Sequence, residues 1–353
     1  MKLDETVAQR ISMLRFLLIA TVVFLHIADP PSIATLDMDN ALEVLRAFTQ
    51  EQLGRICVPA LTMISAYLLF SGNLDLAPGK LYRKKAKTLL IPFAVFNIGY
   101  VALLAAVEYT TGYVPFTPIA EAGRMEVANM LFSLTASPMN NALHFLRELF
   151  VLILLAPVFG FFLRRMPWVG LALVAGLFLF NLERHLVLRD TMAVMFYIGG
   201  MAAVGKWDVL RLDRYAVHCA AALLLLCAAL IALRVEDRTL IYITAPLLVW
   251  PMAALVQGTA FGDWAARRSE YSFFIFLCHI PLIEILRRVY LHVDHVVPEA
   301  LFVYGAPVVL IAFLIGAYKV LNHVMPQAFA LMVGGRARRP RGAVLAPNGL
   351  AAQ

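Results

Sequence analysis

The sequence predicts an all-α protein, a polytopic membrane bundle of about ten transmembrane helices, and three observations carry that reading. Of its 353 residues 61% are hydrophobic and 15% charged, against about 45–50% and about 25% in ordinary soluble domains, and the mean hydropathy is +0.78. Apolar runs approaching the roughly 17–25 residues that a bilayer-crossing helix needs recur along the whole chain. Leu, Ile, Val and Ala dominate these runs, without the period-two alternation of an outer-membrane barrel.

The first run, 13–28, has the basic-then-apolar order of a signal peptide. Ala28-Asp29-Pro30-Pro31 is a poor cleavage site, however, and many apolar runs follow, so it reads as an uncleaved first span. The second, 52–72, holds Pro59, and the third, 89–107, follows a strongly basic loop. After 108–142, the longest connection and rich in Pro, Gly and Thr, comes 143–163. Two short runs, 167–182 and 191–205, precede 215–233, 239–257, 271–290 and 300–322. No internal repeat is evident. Residues 334–353 are basic, then small and apolar, and are expected to be a disordered tail behind one membrane domain, 1–333.

An even number of spans puts both termini on one side. The loops and termini on that side carry 18 basic residues and the other side 7, so the positive-inside rule makes both termini cytoplasmic. The net charge of +7 is therefore spread through loops and a tail. It points to topology and contact with anionic lipid, and away from nucleic acid. Cys57, Cys219, Cys227 and Cys278 lie in apolar runs with no paired spacing, which excludes a disulfide framework or zinc motif. No P-loop, Gly-x-Ser-x-Gly elbow or His-Glu-x-x-His is present. His292, Asp294 and His295 lie close together in a loop with no third distant ligand, and no metal site is expected there.

An ionisable side chain inside a span is costly enough to mark function by default. Such residues are Arg15, His26, Arg55, His144, Arg147, Glu148, Glu183, His279, Glu284 and Arg287. Arg15 and His26 are eleven positions apart. At about 100° and 1.5 Å per residue they share one helix face, roughly 16 Å apart along the axis. Imidazole is the side chain that exchanges protons near neutral pH, so His26 is a candidate base; its plainer alternative is a polar contact between helices. For Arg15 the plainer alternative is snorkelling to phosphates of the inner leaflet. Arg147 and Glu148 are adjacent, so they are expected to diverge by about 100° and to find separate partners on other helices. The basic stretch Arg83, Lys84, Lys85 and Lys87 either holds topology or forms a phosphate site.

Five stretches in this order resemble the acyltransferase-3 family of bacterial membrane acyltransferases, over most of the chain from Arg10 to about His279. Arg15 and His26 match its basic residue, ten residues, then histidine. GRICVPALTMISAYLLF (54–70) is similar to its second span, with Ser65-Ala66-Tyr67 carrying alanine where the family has glycine. YRKKAKTLLIPF matches its basic loop, with Arg83 and Lys87 near its paired arginines. HFLREL is similar to its His-Leu-Trp-Phe-Leu segment, though without the tryptophan, and SFFIFLCHIPL (272–282) to its late span ending in histidine and proline.

The resemblance implies an O-acyltransferase, most often O-acetyl, of the bacterial inner membrane. Its donor would be cytoplasmic acetyl-CoA or another acyl-CoA, with no permanently bound cofactor. Its acceptor would be a hydroxyl of an outward-facing sugar, surface polysaccharide or lipid-linked glycan. On that footing His26 is the expected general base, and Arg15, Arg83 and Lys87 hold the donor's phosphates. Arg55, Ser65, Tyr67, His144, Arg147, Glu148 and His279 position the substrates. The alternative is a secondary transporter or flippase for a glycan or lipid-linked sugar. That class is expected to show inverted repeats with paired broken helices, and Pro59, Pro92, Pro157, Pro246 and Pro281 form no matched pairs.

Overall fold

The computed structural model describes residues 4–112, 114, 118–180 and 191–335, and within these every regular element is helical. In chain order they are α1 (Glu5–His26), α2 (Ala41–Arg46), α3 (Cys57–Ser71), α4 (Pro78–Lys85), α5 (Ile91–Thr111), α6 (Arg124–Phe132), α7 (His144–Leu154), α8 (Ala156–Arg165), α9 (Pro167–Leu179), α10 (Thr191–Val204), α11 (Ala216–Ala232), α12 (Thr239–Met252), α13 (Ala260–Arg267), α14 (Ser272–Val293), α15 (Glu299–Val324) and α16 (Pro326–Met332). Glu183 and nearly all of the 334–353 tail lie outside the described residues.

Each of the ten apolar runs is helical over most of its described length. Among the described residues, five continuous helical stretches qualify by length and composition as membrane spans: Glu5–His26, Ala41–Ser71, Pro78–Thr111, Arg211–Ala232 and Glu299–Val324. The number rises to 7 if each of two bent pairs is one span. One pair is α7 with α8, bent by 55° where Pro157 enters the second helix; the other joins α12 to α13 and α14 through a 119° turn. Helices α9 and α10 are apolar but shorter. The count of ten thus remains a reading of hydropathy, whereas the all-α membrane architecture is the structure's own.

Helix α1 runs through the centre of the bundle, packing against α3, α13, α14 and α15. Asp4 starts it by accepting hydrogen bonds from the backbone N–H of Thr6 at 2.9 Å and Val7 at 3.2 Å, two groups a helix start otherwise leaves unpaired. Its buried residues come from all around the helix, as expected of an element enclosed by others. Close approach of α10 to α3 depends on glycine: a Cβ at Gly199 would meet the carbonyl of Met63.

Two π-helical segments interrupt the regular helices, Ala47–Leu53 before α3 and Ala86–Leu90 before α5. Such widened turns re-aim side chains and recur at functional sites. The first buries Gln50, Glu51 and Gln52; the second carries Leu89 inward.

A two-ended site along the first helix

The two ionisable residues of α1 open on different cavities. Arg15 lines one of about 310 Å³ together with Ile19, Leu61, Ser65, Leu89, Phe145 and, from the α13–α14 region, Ser269, Glu270, Ser272, Phe273 and Phe276. Ser65 donates its hydroxyl to the carbonyl of Leu61 at 2.7 Å and still faces this space. Ser272 lines it too, with a buried hydroxyl that has no hydrogen-bond partner among the described residues. His26, at the last position of α1, lines a second cavity of about 780 Å³ with Asp29, Glu126, Asn129, Ser137, Asn141, Glu284 and Arg287 among its polar walls. That volume lies within the range of small-molecule sites, roughly 300–1,000 Å³. A smaller cavity of about 100 Å³ brings His26 together with Arg55, Pro59, His144, Thr191 and Tyr242.

Helix α14 reaches the Arg15 cavity and the 780 Å³ His26 cavity from one face. Phe276 lines the first, while Ile280, Glu284 and Arg287 line the second at successive i+4 and i+3 positions. His279 lies between them. It is fully buried, and its ring is 5.6 Å from that of His26, centroid to centroid. Towards the Arg15 side, Phe276 is 5.9 Å from His279 and meets Phe145 edge to face at 5.7 Å. A file of four rings therefore joins the two cavities: His26, His279, Phe276, Phe145.

Local backbone chemistry fixes this region. Pro281 has no N–H to give the carbonyl of Leu277, four residues earlier. Asn140 takes that carbonyl instead through its side-chain amide at 3.3 Å, and its own backbone N–H donates to Asn97 at 3.0 Å. Asn97, fully buried, donates to the carbonyls of Met130 and Leu131 at 2.7 and 2.8 Å. The wall of the large cavity is thereby tied to α5 and α14. At the end of α1, Arg287 donates to the carbonyls of His26 and Ile27, both at 3.0 Å. These are groups that a helix C-terminus leaves open.

The remaining expected site residues separate into groups. His144 is buried at the start of α7, with Nδ1 2.6 Å from the carbonyl of Asn141. Arg55 pairs with Glu51 one turn earlier at 3.0 Å, and Arg238 holds the other oxygen of the same carboxylate. Glu51 is only 4% exposed, so the two arginines hold a buried carboxylate beside the small cavity. Tyr67 does not join Ser65. Two residues along a helix is about 200° around it, and Tyr67 faces a third, apolar cavity of about 330 Å³ with Trp207 and Trp250.

Arg83 and Lys87 are exposed and are not part of the cavity wall at Arg15, although Leu89, beyond the π-helical turn, is. Arg147 and Glu148 depart from expectation. They pair with each other, Nη1 to Oε1 at 3.1 Å, because the arginine is long enough to curl round the helix to its neighbour. Arg147 also donates to the carbonyls of Ser133 and Leu134, at 3.2 and 3.1 Å, and so anchors the preceding loop. Among the described residues no group of three or more His, Cys, Asp or Glu side chains could hold a metal ion.

Glu51, Ser272 and the capping role of Arg287 went unread in the sequence. Glu51 and Arg55 have the i, i+4 spacing of a helical ion pair, a signal that was available. The partners of Arg287 lie about 260 residues away and left no local trace.

Residues 9–318 match the family model for the acyltransferase domain of acyltransferase-3 proteins. The chain is also 30% identical over 370 residues to the succinoglycan biosynthesis protein ExoH of Rhizobium meliloti (strain 1021), an alignment covering 98% of this chain and 97% of the relative. No solved structure matches it.

Proposed function

The chain belongs to the acyltransferase-3 family, and from that premise we propose that it moves an acyl group, taken as acetyl, from a cytoplasmic coenzyme A thioester to a hydroxyl of a surface polysaccharide or lipid-linked glycan outside the inner membrane. The observation that carries the proposal is the pair of cavities on α1, one lined by Arg15 and the other by His26. A donor whose phosphates rest near Arg15 can extend its pantetheine arm over the roughly 16 Å to His26. Arginine suits phosphate through its planar fork of donors, and exposed Arg83 and Lys87 would attract the anionic donor from outside the cavity wall. The name of the relative, a succinoglycan biosynthesis protein, supports a glycan acceptor.

In this reading His26 takes the proton of the acceptor hydroxyl as its oxygen attacks the thioester carbonyl. The carbon–sulfur bond then breaks, and the coenzyme A thiolate recovers the proton from the imidazolium. An ester and a free thiol result, and His26 returns to its starting state. Such a base contributes about 10²–10⁴-fold in rate. Asn141, Glu284 and Arg287 would orient the acceptor in the larger cavity, and Arg55 and His144 the acyl end of the donor in the smaller one. The test compares wild type with His26→Ala in nanodiscs, following hydrolysis of labelled acetyl-CoA and binding of coenzyme A. Turnover lost with binding retained is the expected result. A correctly inserted His26→Ala protein with full activity refutes the proposal.

A further inference from the structure

His279 is a fully buried histidine whose two nitrogens have unequal surroundings. Nδ1 lies 2.8 Å from the carbonyl of Phe276 and 3.3 Å from that of Ile275. Carbonyl oxygens only accept, so Nδ1 carries the proton, and a neutral imidazole then presents Nε2 as a bare acceptor. That Nε2 is buried and has no hydrogen-bond partner among the described residues. Leaving such an acceptor unpaired is unfavourable, and buried polar atoms in this condition call for an explanation. Across from it stands His26, with 5.6 Å between ring centroids and a tilt of 37°. That separation is close to the one two imidazole rings take when an N–H of one is hydrogen-bonded to a bare nitrogen of the other.

We propose that His279 is a positioning residue for His26: its Nε2 accepts the N–H on the inward side of the His26 ring. This selects the tautomer whose other nitrogen is bare towards the acceptor cavity. When His26 takes the acceptor's proton, the imidazolium keeps one N–H on the thioester path and gives the second to His279. No proton passes to His279, whose other nitrogen stays committed to Phe276. The arrangement does for His26 what a buried carboxylate does in a Ser-His-Asp triad, but with a neutral acceptor suited to an apolar bundle. Pro281 and Asn140 lie beside His279 on α14, and the bonds from Nδ1 to the carbonyls of Phe276 and Ile275 hold its ring.

The inference rests on His26 being the base, and two substitutions of similar character test it separately. His279→Asn keeps a donor for the Phe276 carbonyl but removes the acceptor facing His26; His279→Gln puts a carbonyl oxygen near the position of Nε2. In nanodiscs, kcat for acetyl transfer should fall about 10²-fold in His279→Asn, the order of loss expected for a misoriented catalytic group. KM for acetyl-CoA should be unchanged, and His279→Gln should recover most of the loss. Adding His279→Asn to His26→Ala should leave the residual rate where it was, because groups acting as one unit are not additive. Wild-type kcat in His279→Asn, equal losses in the Asn and Gln variants, or a further drop in the double variant would each overturn the inference. A fully active His26→Ala protein instead removes the base assignment beneath it.

Discussion

Arg287 and His26, 261 residues apart in the chain, meet where α1 ends: the guanidinium donates to the His26 carbonyl at 3.0 Å. The same side chain holds the carbonyl of Ile27 and reaches Asp29 at 3.1 Å. A cation at this position also opposes the negative end of the helix dipole. The imidazole is therefore carried on a backbone that α14 grips from the side. Arg287→Leu should reduce turnover about 10²-fold through loss of that placement. Arg287→Lys should recover only part, because a single ammonium cannot bridge two carbonyls and a carboxylate. Steady-state transfer rates, normalised to inserted protein, check both.

In the proposed reaction Arg15 holds the phosphates of coenzyme A, roughly 16 Å along α1 from His26. Arg15→Ala should therefore raise KM for acetyl-CoA by about tenfold or more, the loss of one good charge-assisted contact of about 1.5–3 kcal/mol. The truncated thioester S-acetyl-N-acetylcysteamine carries no phosphate, and its kcat/KM should be nearly unaffected. Equal losses with both donors would show that Arg15 serves the structure of α1 and not the donor.

What could be read in advance follows from how local each relationship is. Arg15 and His26 share an uninterrupted helix, so their common face follows from periodicity alone, whereas the meeting of Ser65 with Arg15 joins two helices and has no local signal. Tyr67 was grouped with Ser65 by motif, yet the helix turns about 200° between them, and spacing could have separated the two. For Arg147 and Glu148 the spacing gives only the divergence of the Cβ directions, and a long guanidinium still brings the two charges together. The His26–His279 contact, the Asn140 bond to the carbonyl freed by Pro281 and the grip of Arg287 join segments more than 130 residues apart, and no pattern along one helix encodes them.

Ser137 is exposed on the wall of the larger cavity, in the loop between α6 and α7, away from His26's own helix. Ser137→Trp should fill part of its 780 Å³. Transfer to the glycan acceptor should fall about tenfold or more, whereas slow hydrolysis of acetyl-CoA by water should persist. Comparing acceptor-dependent with acceptor-independent release of coenzyme A separates these outcomes. Parallel loss of both activities would place the acceptor elsewhere.

Arg10 lies a turn and a half before Arg15, is 1% exposed, and holds the start of α1 to two other segments. Its guanidinium makes a two-pronged pair with Asp213 at 2.7 and 2.6 Å, its Nε donates to Gln257 at 2.7 Å, and its Cζ lies 5.4 Å from the centre of the Trp250 ring. Removing one partner of a buried pair leaves the other uncompensated, at a cost of about 3–5 kcal/mol. Asp213 retains 28% side-chain exposure, and water reaching it should hold the loss to the lower end of that range. Arg10→Met should thus lower the melting temperature of the detergent-solubilised protein clearly. Adding Asp213→Asn should recover part of the loss by removing the stranded charge. Because the clamp touches neither cavity, kcat per folded molecule should stay near wild type. A fall in kcat without a fall in melting temperature would mean that Arg10 acts on the donor and not on the fold.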